Sequence, residues 1–155
     1  MKTYIVNPDN NKLVSIEDWR KEADPTRAIL LAVETDDDHL LLVSKSYLPK
    51  ELDFEDAQKA CAEFKPMEGI TFRCPLRKET IDLYDARFQG LDEAVKLTGG
   101  NFACNPDGNW YWTAERDTDP RCSASSAWCS GGYYGYMYGN LVSSSSLALP
   151  VTLLK

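Results

Sequence analysis

The stretch from residue 53 to residue 64, DFEDAQKACAEF, predicts the best-defined element of the chain. Asp53 is a favourable helix N-cap, because its carboxylate can accept hydrogen bonds from the free backbone N–H groups of the first turn. Apolar side chains then recur at the spacing of one helix face, with charged residues opposite: Phe54, Ala57, Cys61 and Phe64. The stretch is therefore predicted to be an amphipathic helix that packs on a core.

A second helical pattern follows Pro75 and occupies residues 77–88, RKETIDLYDARF. The residues expected on its apolar side are Leu76, Thr80, Ile81, Tyr84 and Phe88. The pattern resumes at residues 91–97, LDEAVKL. Gly99 and Gly100 are expected to end it, because glycine is common just beyond a helix C-terminus.

The apolar runs upstream have the length of strands. Residues 1–27 are predicted to form an N-terminal extension, with a strand at 2–6 and a brief helix capped by Ser15. The runs 27–33, RAILLAV, and 39–44, HLLLVS, are predicted to pair as two strands. The acid-rich ETDDD segment between them is expected to be the solvated tip of this hairpin.

The half of the chain after Gly100 is rich in turn-forming residues and lacks a helical period. It offers four strand candidates, at residues 109–113, 125–129, 136–142 and 147–154. This half is therefore predicted to be a loop-rich β region, and the two halves together indicate an α+β domain.

The segment 130–146, SGGYYGYMYGNLVSSSS, has an unusual composition. It holds four of the eight tyrosines of the chain, and Arg121 is the only charged residue between positions 120 and 154. Tyrosine supplies stiff, amphipathic contact area, and serine, glycine and asparagine supply adaptable hydrogen bonds, as in antigen-binding loops. The alternative is that the tyrosines alternate across a sheet and half of them are core. The pair Gly131–Gly132 and the serine run favour a surface patch.

Length and charge exclude several functional classes. A chain of 155 residues is predicted to form one domain, 1–155. A net charge of −7 argues against nucleic acid as a partner. The apolar runs are too short to insert into a membrane, and the N-terminus lacks the apolar region of a signal peptide. The missing signal peptide favours the cytoplasm as the expected location.

No residue pattern predicts catalysis, a cofactor or a metal site. The five cysteines lack zinc-site spacing, and they are expected to be reduced thiols, some of them packed as small apolar side chains. His39 is the only histidine, and no nucleophile motif accompanies it. The triplet Asn105-Pro106-Asp107 has oxygen ligands that suit calcium, but Asn7-Pro8-Asp9 repeats it, and both are interpreted as turns.

The order of several short motifs resembles the formylglycine-generating-enzyme-like branch of the C-type lectin fold, over residues 28–155. The matching positions are Phe54 and Ala57; Arg73, Pro75 and Glu79; Tyr111, Trp112 and Thr113; Ala127 and Trp128; and Pro150 with Val151. Leu149 departs from the pattern, since an arginine usually precedes the closing proline. The resemblance implies a C-type-lectin-like fold, with two helices packed on a small twisted antiparallel sheet and the N- and C-terminal strands near each other.

Within this branch, the chain resembles the variable ligand-binding proteins that retroelements diversify in bacteria and phages. The resemblance adds a phage particle to the cytoplasm as an expected location. The resemblance implies that residues 117–146 form a variable ligand-binding face for an unknown protein or glycan. The binding residues it implies are Asp117, Thr118, Asp119, Arg121, Ser123, Ser125, Ser126, Ser130, Tyr133, Tyr134, Tyr136 and Tyr138.

Three alternatives to this binding protein stay open at this stage. A calcium-dependent lectin would use Asn105 and Asp107. An oxidase of the formylglycine-generating type would need a reactive cysteine pair, for which Cys122 and Cys129 are the available residues. A structural module would bury the tyrosine segment between copies of a homo-oligomer.

Overall fold

The computed structural model describes residues 1–35, 38–108, 110–117 and 125–154. The α+β class is confirmed. The helices are α1 (Ile16–Trp19), α2 (Phe54–Glu63), α3 (Arg77–Ala86) and α4 (Asp92–Leu97). The strands are β1 (Thr3–Val6), β2 (Leu13–Ser15), β3 (Leu30–Glu34), β4 (Leu40–Ser44), β5 (Trp110–Arg116), β6 (Ser126–Gly131), β7 (Met137–Leu141) and β8 (Val151–Leu154).

The strands form two antiparallel sheets, so the expectation of one small sheet is corrected. The first sheet has the order β2-β1-β3-β4-β8, and the second has the order β5-β6-β7. β3 and β4 each contain a run of consecutive buried residues, as expected for strands that are covered on both faces. The second sheet is joined to the segment before β8 by a parallel bridge between Tyr111 and Leu147. The turn-rich C-terminal half therefore builds a sheet of its own.

The predicted hairpin of β3 and β4 is confirmed, with Leu31 opposite Val43. At its tip the backbone N–H of Thr35 donates to the carbonyl of His39 at 2.9 Å. Asp36 and Asp37 of the tip lie outside the described residues. The terminal strands β1 and β8, which the resemblance implied to lie near each other, belong to the same sheet, with β3 and β4 between them.

Helix α2 confirms the amphipathic helix that was predicted from residues 53–64. The carboxylate of Asp53 accepts a hydrogen bond from the N–H of Asp56 at 2.9 Å, as an N-cap should. Its buried residues pack with the second sheet, where the rings of Phe54 and Trp112 meet edge to face at 5.6 Å. Phe64 ends the helix and packs instead on Phe72, under the first sheet. The helix therefore bridges two parts of the core.

Helix α3 begins where the pattern predicted, but its buried face is different. Ile81 and Phe88, expected in the core, are 59% and 68% exposed, and Glu79 and Leu83 are buried instead. The inward position of Glu79 is explained by an ion pair with Arg73, in which Glu79 is buried and Arg73 is 37% exposed. The carboxylate of Glu79 accepts two hydrogen bonds from the guanidinium of Arg73, at 2.7 and 2.9 Å, and a third from the N–H of Leu76 at 2.8 Å. These bonds hold a charged residue inward, which an apolar period does not reveal.

A kink at Gln89 and Gly90, whose backbone angles are not helical, separates α3 from α4, and α4 ends before Gly99 as predicted. The main core lies between the first sheet and these helices, and its fully buried members include Ile5, Leu31, Leu41 and Leu83. Among the described residues, no helix has the length and apolar character needed to cross a bilayer. The domain thus has a fixed frame of helices and five-stranded sheet, to which the smaller sheet is attached.

Candidate ligand-binding surface

The tyrosine segment lies on the surface of the second sheet. Tyr133 and Tyr134 lie in the turn after β6, Tyr136 precedes β7, and Tyr138 lies within β7. Tyr134, Tyr136 and Tyr138 are 53%, 66% and 38% exposed, and Tyr133 is half-buried. Because none of the four rings is fully buried, the alternative in which half of them are core residues does not describe this segment.

Backbone hydrogen bonds close the turn that carries these rings. The N–H of Gly131 donates to the carbonyl of Tyr136 at 2.7 Å, and the N–H of Gly135 donates to the carbonyl of Gly131 at 2.8 Å. Gly135 has a φ of +75° and lies against helix α3, where a Cβ atom would come within 2.7 Å of the ring of Tyr84. The turn therefore needs glycine at this position for two reasons, its backbone conformation and its close contact with α3.

Arg87 binds the backbone of the turn. Its buried guanidinium forms a two-point ion pair with the carboxylate of Asp92, at 2.8 and 3.0 Å. It also donates to the carbonyls of Gly132, at 3.4 Å, and Tyr133, and it lies 4.6 Å from the centre of the Tyr133 ring. Burial alone would lower the pKa of Arg87, but the hydrogen bonds and charge of Asp92 outweigh it and raise that pKa. A permanently charged side chain thus anchors the turn to the frame.

The exposed rings form a continuous set of contacts. The rings of Tyr133 and Tyr134 meet edge to face at 4.9 Å, and those of Tyr134 and Tyr136 stack at 5.9 Å. On the helix side, Tyr84 meets Phe88 edge to face at 5.4 Å. Since Tyr84 also contacts the turn at Gly135, the aromatic surface extends from the turn to α3.

The strand β7 carries a second group of aromatic contacts. The ring of Tyr138 packs edge to face on Trp110 at 4.5 Å, and its hydroxyl accepts a hydrogen bond from the side-chain amide of Asn140 at 3.3 Å. Burial raises the pKa of Tyr138, so its hydroxyl stays protonated near neutral pH. On the other side the guanidinium of Arg77 lies 4.1 Å from the ring of Trp128. The exposed rings are therefore held by neighbours before any ligand arrives.

The other predicted binding residues have mixed positions. Ser130 is only 2% exposed and is hydrogen-bonded with the buried Tyr111, so it packs inside the domain. Asp117 is also buried, next to Gly139. Ser125 is exposed and Ser126 is half-buried. The predicted residues that lie outside the described part of the chain are Thr118, Asp119, Arg121 and Ser123.

The two Asn-Pro-Asp triplets adopt the same local turn. The side-chain oxygen of Asn105 accepts a hydrogen bond from the N–H of Asp107 at 3.0 Å, and that of Asn7 accepts one from the N–H of Asp9 at 2.9 Å. This geometry is an Asx turn, which Asn favours two residues before its hydrogen-bond donor. The interpretation of both triplets as turns is confirmed.

The oxidase alternative requires a reactive cysteine thiol in the cleft. Cys61, Cys74 and Cys129 are buried free thiols, and Cys104 is an exposed one. Burial raises the pKa of Cys129 to about 11. Because the thiolate is the nucleophile, such a thiol is poorly reactive near neutral pH. Cys122, its proposed partner, lies outside the described residues.

Sequence reasoning missed two parts of this surface that come from α3 and the residues directly after it, the support from Arg87 and the exposed pair Ile81 and Phe88. An aromatic and an aliphatic residue seven positions apart on one helix signalled a shared face, but not which way it points. No protein-family model matches the chain, and no curated protein is significantly similar to it. The interpretation of the surface therefore rests on its own geometry.

Proposed function

We propose that the domain is a non-catalytic binding protein, and that the turn after β6 together with strand β7 forms its recognition surface. The observation that carries the proposal is the exposure of Tyr134, Tyr136 and Tyr138 on a turn that Arg87 and Gly135 fix to the frame. Exposed rings in a packed domain leave apolar area for a ligand to bury. Tyr is also enriched among the residues that contribute most to binding energy.

The fixed geometry favours binding energetically. A tyrosine has two side-chain torsions, so little conformational entropy is lost when a ligand immobilises it. The ring contacts at 4.9 and 5.9 Å already restrict Tyr133, Tyr134 and Tyr136. A surface that is ordered before contact avoids part of the ordering cost of association.

We also propose that the frame is a C-type-lectin-like scaffold of the formylglycine-generating-enzyme-like branch, diversified by a retroelement over residues 117–146. Supporting this, residues of the resemblance outside that segment have structural roles. Glu79 and Trp112 are buried, while three tyrosines of the proposed variable segment are exposed. A diversified surface needs such a division between constant frame and changeable contacts. Sequencing the gene's neighbourhood tests this. A near-copy of its 3′ end that differs at adenines, beside a reverse transcriptase, is expected, and absence of both refutes diversification.

The binding proposal is tested with two probes, a glycan array and a phage-displayed library of random dodecapeptides. Each probe that binds is measured against Tyr134→Ser, Tyr136→Ser and the double variant, and Leu13→Ser, an exposed apolar residue on β2, is the control. We expect each single change to weaken binding by about tenfold, the effect of a side chain that contributes roughly 1.4 kcal/mol. The control should bind as the unmodified protein does.

Two results would contradict the proposal. If the tyrosine variants bind every recovered probe as well as the control does, the surface is not the recognition site. If glycan binding is lost on adding a calcium chelator, the calcium lectin replaces the present proposal, because the tyrosine surface needs no ion to be ordered. Sedimentation of the free protein tests the structural-module alternative, in which the tyrosines are buried between copies.

A further inference from the structure

The exposed face of helix α3 continues the tyrosine surface. Ile81 and Phe88 are 59% and 68% exposed, the two largest exposed fractions among the large apolar residues described outside the tyrosine turn. Phe88 lies two positions after the last residue of α3, and Arg87 between them still has helical backbone angles, so Ile81, Asp85 and Phe88 follow one side of the helix. Phe88 contacts Tyr84, which in turn contacts Gly135 of the tyrosine turn.

The charges on this face are unevenly distributed. Between Ile81 and Phe88 the sequence has two acids, Asp82 and Asp85, and one base, Arg87. Arg87 is buried and its charge is paired with Asp92. Two further bases lie one turn towards the start of α3. Arg77 stacks on Trp128, and Lys78 also has an interaction partner. An incoming molecule therefore meets an apolar strip bordered by the exposed carboxylate of Asp85.

We propose that Ile81, Asp85 and Phe88 form the second half of the recognition surface, and that the partner is a protein segment with an apolar side chain flanked by Lys or Arg. This inference rests on the proposed function of the tyrosine turn. The apolar side chain packs between Phe88 and the tyrosine rings, where it gains hydrophobic energy from both. The basic residue then lies near Asp85, and the charge of −7 on the whole chain favours its approach.

A second copy of the chain fits this face less well. In a symmetric dimer the same face meets itself, so the two Asp85 carboxylates and two chains of charge −7 come together. The two bases at the start of the same helix, Arg77 and Lys78, are already engaged in interactions within the domain. A glycan also fits less well, because Ile81 and Phe88 offer it no hydrogen-bonding group.

The test uses dodecapeptides recovered from the random library on the unmodified domain, synthesised and measured by fluorescence polarisation. The variants are Ile81→Ser with Phe88→Ser, Asp85→Asn, and Ile29→Ser as the matched control. Ile29 is exposed before β3 and lines a groove with Pro66 and Met67. All replaced side chains are exposed, so the fold should be retained, which circular dichroism and urea unfolding verify.

We expect the recovered peptides to combine an aromatic or aliphatic residue with Lys or Arg. The double change at Ile81 and Phe88 should weaken their binding by at least about tenfold, as for residues at the centre of an interface. Asp85→Asn should weaken it by about two- to fivefold, the range of an exposed ion pair, with the difference vanishing at high salt. Ile29→Ser should leave binding unchanged.

The possible results separate this inference from the proposed function. If the peptides lose binding with Tyr134→Ser and Tyr136→Ser but tolerate the double change on α3, the inference is wrong and the tyrosine proposal stands. If they tolerate both sets, both are wrong. Peptides without a basic residue, or no recovered peptide, refute the stated partner class. If the domain sediments as a dimer that the α3 double variant converts to monomer, a second copy occupies the face and the inference is overturned.

Discussion

The five-stranded sheet and strand β7 use the same kind of backbone pairing for opposite purposes. In β3 and β4, residues such as Leu31, Val33, Leu41 and Val43 are fully buried. In β7, from Met137 to Leu141, every residue is half-buried or exposed. A strand that is covered on both faces must keep apolar side chains of fitting volume, because core cavities and overpacking both destabilise. β7 has no such constraint, so its side chains are free to serve contact with another molecule.

The smaller sheet contains both kinds of strand, buried and exposed. β5 and β6 place Trp112, Ala127 and Cys129 in the buried cluster under α2. β7 follows β6 at the outer edge and carries the exposed Tyr138. Rigidity is therefore supplied by the inner strands and helix α3, and contact area by the edge. This comparison indicates that the proposed binding surface depends on the frame for its shape, and it predicts that the surface contributes little to the stability of the frame.

A large loss of stability is expected when a charged side chain of the frame is removed. Replacing Glu79 with Ala leaves the guanidinium of Arg73 without its two hydrogen bonds and the N–H of Leu76 without its acceptor. We expect the free energy of unfolding, measured with urea, to fall by about 1.5 to 3 kcal/mol, because hydrogen bonds to a buried carboxylate are lost while the Arg73 side chain, 37% exposed, can be rehydrated. Glu93→Ala is the control, because its ion pair with Arg20 is exposed on both sides and should be worth less than about 1 kcal/mol. Equal losses would show that Glu79 is not an essential part of the frame.

A similar effect is expected where the frame meets the tyrosine turn. Gly135→Ala introduces a Cβ atom at a φ of +75° and within 2.7 Å of the ring of Tyr84. Gly69→Ala is the matched control, since its φ is +78° and a Cβ atom there meets nothing within 4 Å. The control should lose about 1 kcal/mol from backbone strain alone, and Gly135→Ala about 2 to 3 kcal/mol, because Tyr84 must also move. If the two variants unfold at the same urea concentration, the turn is not seated on α3.

Local patterns predicted much of the frame. The N-cap Asp53 with its helical period located α2, and the paired apolar runs located β3 and β4. These features depend on neighbours in the chain, so propensity and spacing contain the information. The pairing of β4 with β8 joins residues more than 100 positions apart, for example Leu40 with Leu154, and spacing alone does not contain it. The division into two sheets was missed for that reason.

The sequence predicted that the tyrosine segment is exposed, but not that the candidate surface extends onto α3. The exposed rings of the tyrosine segment followed from its glycines, serines and missing charges. The contribution of α3 did not follow, because the ion pair of Glu79 decides which side of the helix faces inward. Arg87 was missed as well. Its role depends on Gly132 and Tyr133, which are 45 and 46 positions away in the chain.

The smallest expected change in stability tests the exposed side of the comparison. Tyr134→Ser and Tyr136→Ser should each alter the free energy of unfolding by no more than about 0.5 kcal/mol, because these rings are exposed and removing them opens no cavity. The same substitution at the buried Tyr111 should lose about 3 to 5 kcal/mol, since its ring packs against Tyr47 and Phe102 in the core. Urea unfolding of the three variants measures both. A loss above about 1 kcal/mol at Tyr134 or Tyr136 would mean that the ring contacts stabilise the domain itself, so that these side chains would be part of the frame. A near-zero loss would show that their exposed area has no structural role, as the binding proposal requires.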